Sequence, residues 1–209
     1  MKGKFITFEG GEGVGKTTQL RMIKEYLERK GVDAVFLREP GGNEISEKIR
    51  AIILDRDNAD MTGMCEAMLY SAARAQLCEK VIRPALEQGK LVVCDRFTDS
   101  TFAYQGIARG LGGEKIEALN DLACADIVPD LTVFLDLRPD LAFKRKGGAD
   151  ENDRLEQEGM DFHIKVYEGY KLACERYGER IVAIDCSSEA EVTHAKIVNA
   201  LIEKGILQR

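Results

Sequence analysis

Nine residues near the N-terminus restrict this chain more than any others. Gly10-Gly11-Glu12-Gly13-Val14-Gly15-Lys16-Thr17-Thr18 fits the pattern G-x-x-x-x-G-K-[ST]. Glycines let the backbone curl until successive N–H groups face one centre, and a helix opening there adds its positive end. In such a cradle Lys16 brings its ammonium to the β- and γ-phosphates, and the Thr17 hydroxyl takes one position on Mg²⁺. The flanks agree. Lys4–Glu9 ahead is a β-rich run; behind, Leu20, Ile23 and Leu27 recur at helical spacing with Tyr26, and Gly31 supplies a stop. Strand, glycine turn and helix together predict a nucleoside triphosphate site over Gly10–Thr18.

The rest of the composition narrows the setting. At 209 residues, 44% hydrophobic and 32% charged, the chain reads as one globular domain with a substantial core. A net charge of −6 argues against a broad grip on nucleic acid, while a small phosphorylated ligand held by a local basic cluster fits. The six cysteines are scattered with no C-x-x-C pair, so neither a disulfide scaffold nor a zinc site is expected. The first strand starts within four residues, leaving no room for a signal peptide, and no 18-residue apolar run exists. A cytoplasmic protein with no membrane partner is expected.

Apolar runs predict further strands at 33–37, 91–94, 131–137 and 180–184. Helical patterning covers 45–54, with Ile45, Ile49, Ile52 and Ile53 on one side, and a long stretch over 64–88, bent near Pro84. Residues 99–111 read as helix then loop, 114–125 and 139–146 as helices, and 153–177 as another. Ser188-x-x-Glu191 reads as a capping box for a last helix. His163 and His194 are expected on solvated faces. Strands alternating with helices predict an α/β fold: three layers, with a parallel, doubly wound, five-stranded sheet in a single domain over 1–209. Ligands in such sheets lie at the carboxyl ends of the strands, which collects Glu9-Gly10, Arg38-Glu39 and Asp95-Arg96 on one rim. Arg50, Arg74 and Arg96 lie beside strand ends or rim helices, and their planar forks suit phosphate. No N-K-x-D guanine signature is present, and a motor or transport ATPase needs a larger chain. A small phosphotransferase remains.

At this point the chain resembles a known family. Asp95-Arg96-Phe97, Ser100-Thr101 and Ala103-Tyr104-Gln105-Gly106 look like the D-R-[YFH]…S-T-x-A-Y-Q-G block of bacterial thymidylate kinases, which are P-loop nucleoside monophosphate kinases. Phe8–Thr18 matches their F-E-G-x-[DE]-G-x-G-K-T-T, Arg38–Gly42 their R-E-P-G-G, and Tyr70–Leu77 their [FY]-x-A-A-R-x-Q-L. Leu135-Asp136-Leu137 with Pro139 fits the fourth strand, and Asp153-Arg154-Leu155-Glu156 fits the end of a lid over about 144–154. The resemblance implies a P-loop NTPase fold, ATP as co-substrate with Mg²⁺, and transfer of the γ-phosphoryl to thymidine 5′-monophosphate (dTMP). It also implies a homodimer.

Roles follow by matched position. The resemblance implies that Arg96 and Arg50 grip the acceptor's 5′-phosphate and that Tyr70, where most members have Phe, stacks on thymine. Arg74 would donate to a base carbonyl, with Thr101 and Gln105 at the base edge and Glu39 on the same side. Tyr104 would lie under the sugar and disfavour a 2′-hydroxyl; Glu12 would sit near the 3′-hydroxyl. A phosphate monoester has a second pKa of about 6 and is already a nucleophile, so no general base is required. Positioning and charge neutralisation then carry the catalysis, through Lys16, Mg²⁺ on Thr17 with Asp95 acting through water, and lid arginines. Members carry a basic residue in the phosphate loop or arginines in the lid. Here the loop position is Gly13, so Arg145 and Arg154 are the candidate lid cations. The adenine pocket is expected near the turn at 185–187. Two alternatives stay open on the residues alone: a deoxynucleoside kinase with Glu39 as base toward a 5′-hydroxyl, and a nucleotide-binding switch that transfers nothing.

Overall fold

The computed structural model describes residues 3–146, 154–155 and 157–208. Strands β1 (Lys4–Glu9), β2 (Ala34–Arg38), β3 (Leu91–Asp95), β4 (Leu131–Asp136) and β5 (Ile181–Asp185) form one sheet in the order β2-β3-β1-β4-β5. Every pairing is parallel. Parallel neighbours need crossovers, and helices on both faces supply them. In chain order these are α1 (Lys16–Arg29), α2 (Glu44–Leu54), α3 (Gly63–Leu77), α4 (Arg83–Glu87), α5 (Thr98–Thr101), α6 (Gly113–Cys124), α7 (Pro139–Lys146), α8 (Met160–Arg176) and α9 (Ala190–Glu203).

The two-residue alternation of the strands sorts the core. Ile6, Phe8, Val93, Val133 and Leu135 pack with Ile23 and Leu27 of α1 and Ile197 and Leu201 of α9. Phe5, Val92 and Cys94 point the other way, onto Leu77 and Ile82. Two buried threonines interrupt the apolar strands and satisfy each other: Thr7 and Thr132 hydroxyls lie 2.8 Å apart, and Thr132 also bonds Asp99. Arg180 closes that polar stitch on Asp99.

Several expectations need correction. The bend expected at Pro84 is a widened π turn, Cys78–Ile82, just ahead of it. Proline lacks an N–H and is accommodated at the start of the following helix. A second π segment, Phe102–Ala108, continues α5. On α2 only Ile53 enters the core; Ile45 and Ile52 are 50% and 48% exposed. The inner face of α2 is set instead by Ser46, whose hydroxyl donates to the Ala73 carbonyl at 2.8 Å. The helix expected from 153 starts at Met160, and Arg154 and Leu155 form a turn ahead of it. The Ser188 capping box does not form: Glu189 is the N-cap of α9, without a side-chain bond, after an Asp185 carboxylate turn onto Ser187 N–H. His163 is buried, not solvated, against Phe143 and Phe162. The lid stretch 147–152, with Asp153 and Glu156, lies outside the described residues.

Candidate active site

α1 opens at Lys16 behind Gly15, which caps it with no side-chain bond, so the first N–H groups of the helix remain available to an anion. Lys16 Nζ donates to the Gly10 and Gly11 carbonyls at 3.0 and 2.9 Å, which holds the loop curled. Gly13 has φ +74°, and a Cβ there would come within 2.5 Å of the Ala142 carbonyl oxygen. Both backbone and space therefore exclude a basic side chain at that loop position.

β3 ends at Asp95, and the next residue, Arg96, has φ +67°. A non-glycine residue in this region costs on the order of 1–3 kcal/mol, and such strain collects at sites. The turn throws the guanidinium back over the phosphate loop. Its Nη1 donates to the Gly10 carbonyl at 2.9 Å and to the Tyr170 hydroxyl at 3.2 Å, and Nη2 pairs with Glu12. The Tyr104 ring lies 5.3 Å from the guanidinium, and its hydroxyl donates to Glu12 at 3.3 Å. Burial alone would raise the Glu12 pKa, but Arg96, Lys16, Lys146 and Tyr104 bring it down to about 2. Glu12 is a fixed anion beside a phosphate site.

Glu9 lies beneath. Its Oε1 accepts the Phe97 N–H at 2.7 Å, and its Oε2 accepts from Ser100 and Tyr170. Burial, then Asp99, push its carboxyl from 4.5 up to about 7 despite those bonds and Arg96. The folded state thus holds a proton that the unfolded chain releases near 4.5, so its contribution to stability is full below about pH 4.5 and is lost as pH rises through about 7. Melting temperature should fall across that window in the wild type and stay flatter in Glu9→Gln. Parallel profiles would contradict this.

A cavity of about 300 Å³ opens between the strand ends, α2, α3 and the second π segment. Its wall carries Glu12, Glu39, Arg50, Tyr70, Arg74, Arg96, Thr101, Tyr104 and Gln105, all anticipated on the acceptor side, together with Lys16, Thr17 and Asp95. Arg38, Pro40, Leu54, Phe97, Ser100 and Leu155 complete it. Five cations against three carboxylates make the wall suited to an anion. Arg74 is almost fully committed: Nε donates to Glu39 at 2.8 Å, Nη1 to Asn120 at 2.7 Å, and Nη2 to the Phe97 carbonyl and Thr101. Burial raises the Glu39 pKa and Arg74 opposes it. Arg50 donates to the Pro40 carbonyl at 3.0 Å.

For a metal, the relevant atoms are oxygens. Asp95 Oδ1 is buried with no hydrogen-bond partner among the described residues, and the Thr17 side chain opens on the same cavity. That donor set suits hard, water-bearing Mg²⁺ and no thiolate-seeking ion.

The two candidate lid cations part company. Arg145 Nη1 donates to the Cys186 carbonyl at 2.9 Å and Nη2 to that of Ser187 at 3.3 Å. It lines a groove of about 320 Å³ with Gly15, Thr18, Gln19 and Ser187 through Ala190, beside the expected adenine position. Arg154 is buried away from the phosphate loop, bonded to the Ile53 carbonyl and to Glu66.

Comparison with known proteins follows the same residues. The family profile described as thymidylate kinase matches residues 8–197. The chain belongs to the thymidylate kinase family. A thymidylate kinase of Thermoanaerobacter sp. (strain X514) is 47% identical over 201 residues, covering 96% of this chain and 98% of the relative. One from Oceanobacillus iheyensis is 50% identical over 194 residues, covering 91% and 86%. The crystal structure of thymidylate kinase from Ehrlichia chaffeensis superposes with a TM-score of 0.80 at 32% identity, covering 96% of this chain and all of that one. The parallel 2-3-1-4-5 sheet is thus a thymidylate kinase fold. Tyr170 and Glu66, which brace the site, carry no signal in the sequence, whereas Glu9 is placed on the rim by the strand-end rule without its bracing role. Tyr170 is one aromatic among several on α8, and no local spacing distinguishes it.

Proposed function

We propose that the 300 Å³ cavity holds dTMP and that the phosphate loop with the groove at Arg145 holds ATP, tail to tail. The reaction is that of thymidylate kinase: ATP phosphorylates dTMP to dTDP. The observation that carries the placement is Arg96, whose strained turn sets one guanidinium between the phosphate loop and the acceptor cavity.

The acceptor phosphate is a dianion near neutral pH and attacks without a base, so the chain's work is to bring two polyanions together. Arg96 and Arg50 neutralise and orient the acceptor phosphate with forked donors. Lys16 exchanges its loop carbonyls for the transferring phosphoryl. Thr17, with Asp95 through water, would hold Mg²⁺, which when bound would supply charge neutralisation to the transferring phosphoryl. Tyr70 provides the base-stacking face, Arg74, Thr101 and Gln105 the base edge, and Glu12 the sugar side. Arg145 is the better placed candidate cation; Arg154 acts through the wall that Leu155 helps to form. The deoxynucleoside-kinase alternative, with Glu39 as base, is disfavoured by the residues around it: Pro40-Gly41-Gly42 follows Glu39, Asp95-Arg96-Phe97 ends the third strand, and the chain has no Trp.

Formation of ADP from ATP·Mg²⁺ against a panel of nucleoside monophosphates tests the reading. Turnover should require dTMP and ignore thymidine; hydrolysis indifferent to the acceptor would overturn it. Because Tyr104 is packed under the sugar side, Tyr104→Ala should lower the dUMP-over-UMP ratio of kcat/KM by about tenfold. An unchanged ratio would remove Tyr104 from that role. A homodimer is part of the same reading, supported by Ile45, Ile52, Met64 and Met68 standing exposed on α2 and α3. Sedimentation equilibrium should return twice the chain mass of 23.2 kDa. A reducing cytoplasm suits its free thiols.

A further inference from the structure

Glu66 belongs to none of the sequence motifs. It stands in the first turn of α3 yet is fully buried. Three donors from distant parts of the chain converge on its carboxylate: Gln105 Nε2 at 2.8 Å, Arg109 through Nε and Nη2 at 3.3 Å, and Arg154 Nη2. Burial works against the charge, but the bonds from Gln105, Arg109 and Arg154 outweigh it and hold the pKa below its ordinary value. The positive end of α3 acts in the same sense.

An ionised carboxylate can only accept hydrogen bonds. The Gln105 amide must therefore turn its nitrogen toward Glu66, and its carbonyl oxygen then points away. Gln105 lines the acceptor cavity. Beside a hydroxyl or a second amide the group could flip; beside this carboxylate a flip sets two oxygens against each other.

We infer that Glu66 is a positioning residue that fixes the polarity of the Gln105 amide, so that the cavity offers an acceptor to the ring N3 of the incoming pyrimidine. Thymine carries a proton at N3 and is welcomed; cytosine carries a lone pair there and is refused. The inference rests on the cavity being the dTMP site. A carboxylate that merely neutralised Arg109 and Arg154 would stabilise the fold without choosing between bases.

The test is steady-state kinetics with dTMP and dCMP varied at saturating ATP, and with ATP varied at saturating dTMP. In Glu66→Gln one side-chain oxygen must serve three donors, and the Gln105 amide becomes free to turn. The dTMP-over-dCMP ratio of kcat/KM should drop by about tenfold, mainly through the KM for dTMP, with the KM for ATP unchanged. Glu66→Asp keeps a charge for both arginines while withdrawing the carboxylate by one methylene, so it covers the case in which Glu66→Gln does not fold. It should shift the ratio the same way. Gln105→Leu should collapse the ratio, and adding Glu66→Gln to it should change the ratio no further. An unchanged ratio in folded Glu66→Gln or Glu66→Asp overturns the role of Glu66. If Gln105→Leu itself leaves the ratio unchanged, Gln105 does not read the base, and the reading of the cavity falls with the inference.

Discussion

Arg96→Ala is expected to lower kcat/KM for dTMP by at least two orders of magnitude, on the order of 3 kcal/mol in the barrier, while ATP still binds. Three consequences of the geometry support so large an effect. The guanidinium touches the Gly10 carbonyl of the phosphate loop and also lines the acceptor cavity. Its removal leaves Glu12 facing the acceptor phosphate with less compensating charge, so attraction is replaced by repulsion. Alanine at φ +67° also keeps the strain of the turn without its reward. Arg96→Lys retains the charge but not the fork, and should recover only part of the loss. Initial-rate kinetics with both substrates varied, alongside ATP-analogue binding by calorimetry, separates the two halves. Near-normal turnover in Arg96→Ala, or loss of ATP binding equal to the loss of turnover, would refute the assignment.

Arg74→Ala should act on the fold as strongly as Arg96→Ala acts on the chemistry. Arg74 is 1% exposed, and it pairs with Glu39, itself 5% exposed, while satisfying Asn120, Thr101 and the Phe97 carbonyl. Removing one partner of a buried ion pair leaves the other charged and unsolvated, at a cost of about 3–5 kcal/mol. For a chain of this length that corresponds to roughly 10 °C or more in melting temperature. Glu39 Oε1 already has no partner among the described residues, so little is left nearby to take up the slack. Replacing both members, Arg74→Met with Glu39→Gln, removes the uncompensated charge and should recover part of the stability, with Asn120, Thr101 and the Phe97 carbonyl still lacking the Arg74 donors. Thermal unfolding of the ligand-free protein checks the first variant. A loss below about 1 kcal/mol would mean that the pair is not load-sharing in the fold.

The parts legible from sequence are those encoded by neighbours along the chain. The phosphate loop is contiguous, so its glycines, Lys16 and Thr17 could be read together, and each buried strand is a short apolar run. The rim rule then brought Glu9, Glu39 and Arg96 to one edge without any contact being known. What could not be read depends on pairs far apart in sequence. Arg74 looked like a rim arginine, but Glu39 and Asn120, 35 and 46 residues away, make it a buried structural cation as well. Arg154 looked like a lid cation, and its partner Glu66 lies 88 residues upstream. Ile45 and Ile52 show the reverse error: a clean apolar stripe whose outward direction no periodicity can reveal. His163 reads as a solvated position on the helix after the lid, but Phe143, 20 residues away on α7, packs against it and with Phe162 buries it, a pairing no local pattern shows.

A crystal structure with ADP and dTMP bound together is the most direct measurement. The expected result is a dTMP phosphate within hydrogen-bond distance of the Arg96 and Arg50 guanidiniums, the thymine ring stacked on Tyr70, and the diphosphate in the loop at Gly10–Thr18. A dTMP molecule seated elsewhere, with Arg96 still turned onto Glu12 and Tyr70 facing no base, would contradict it.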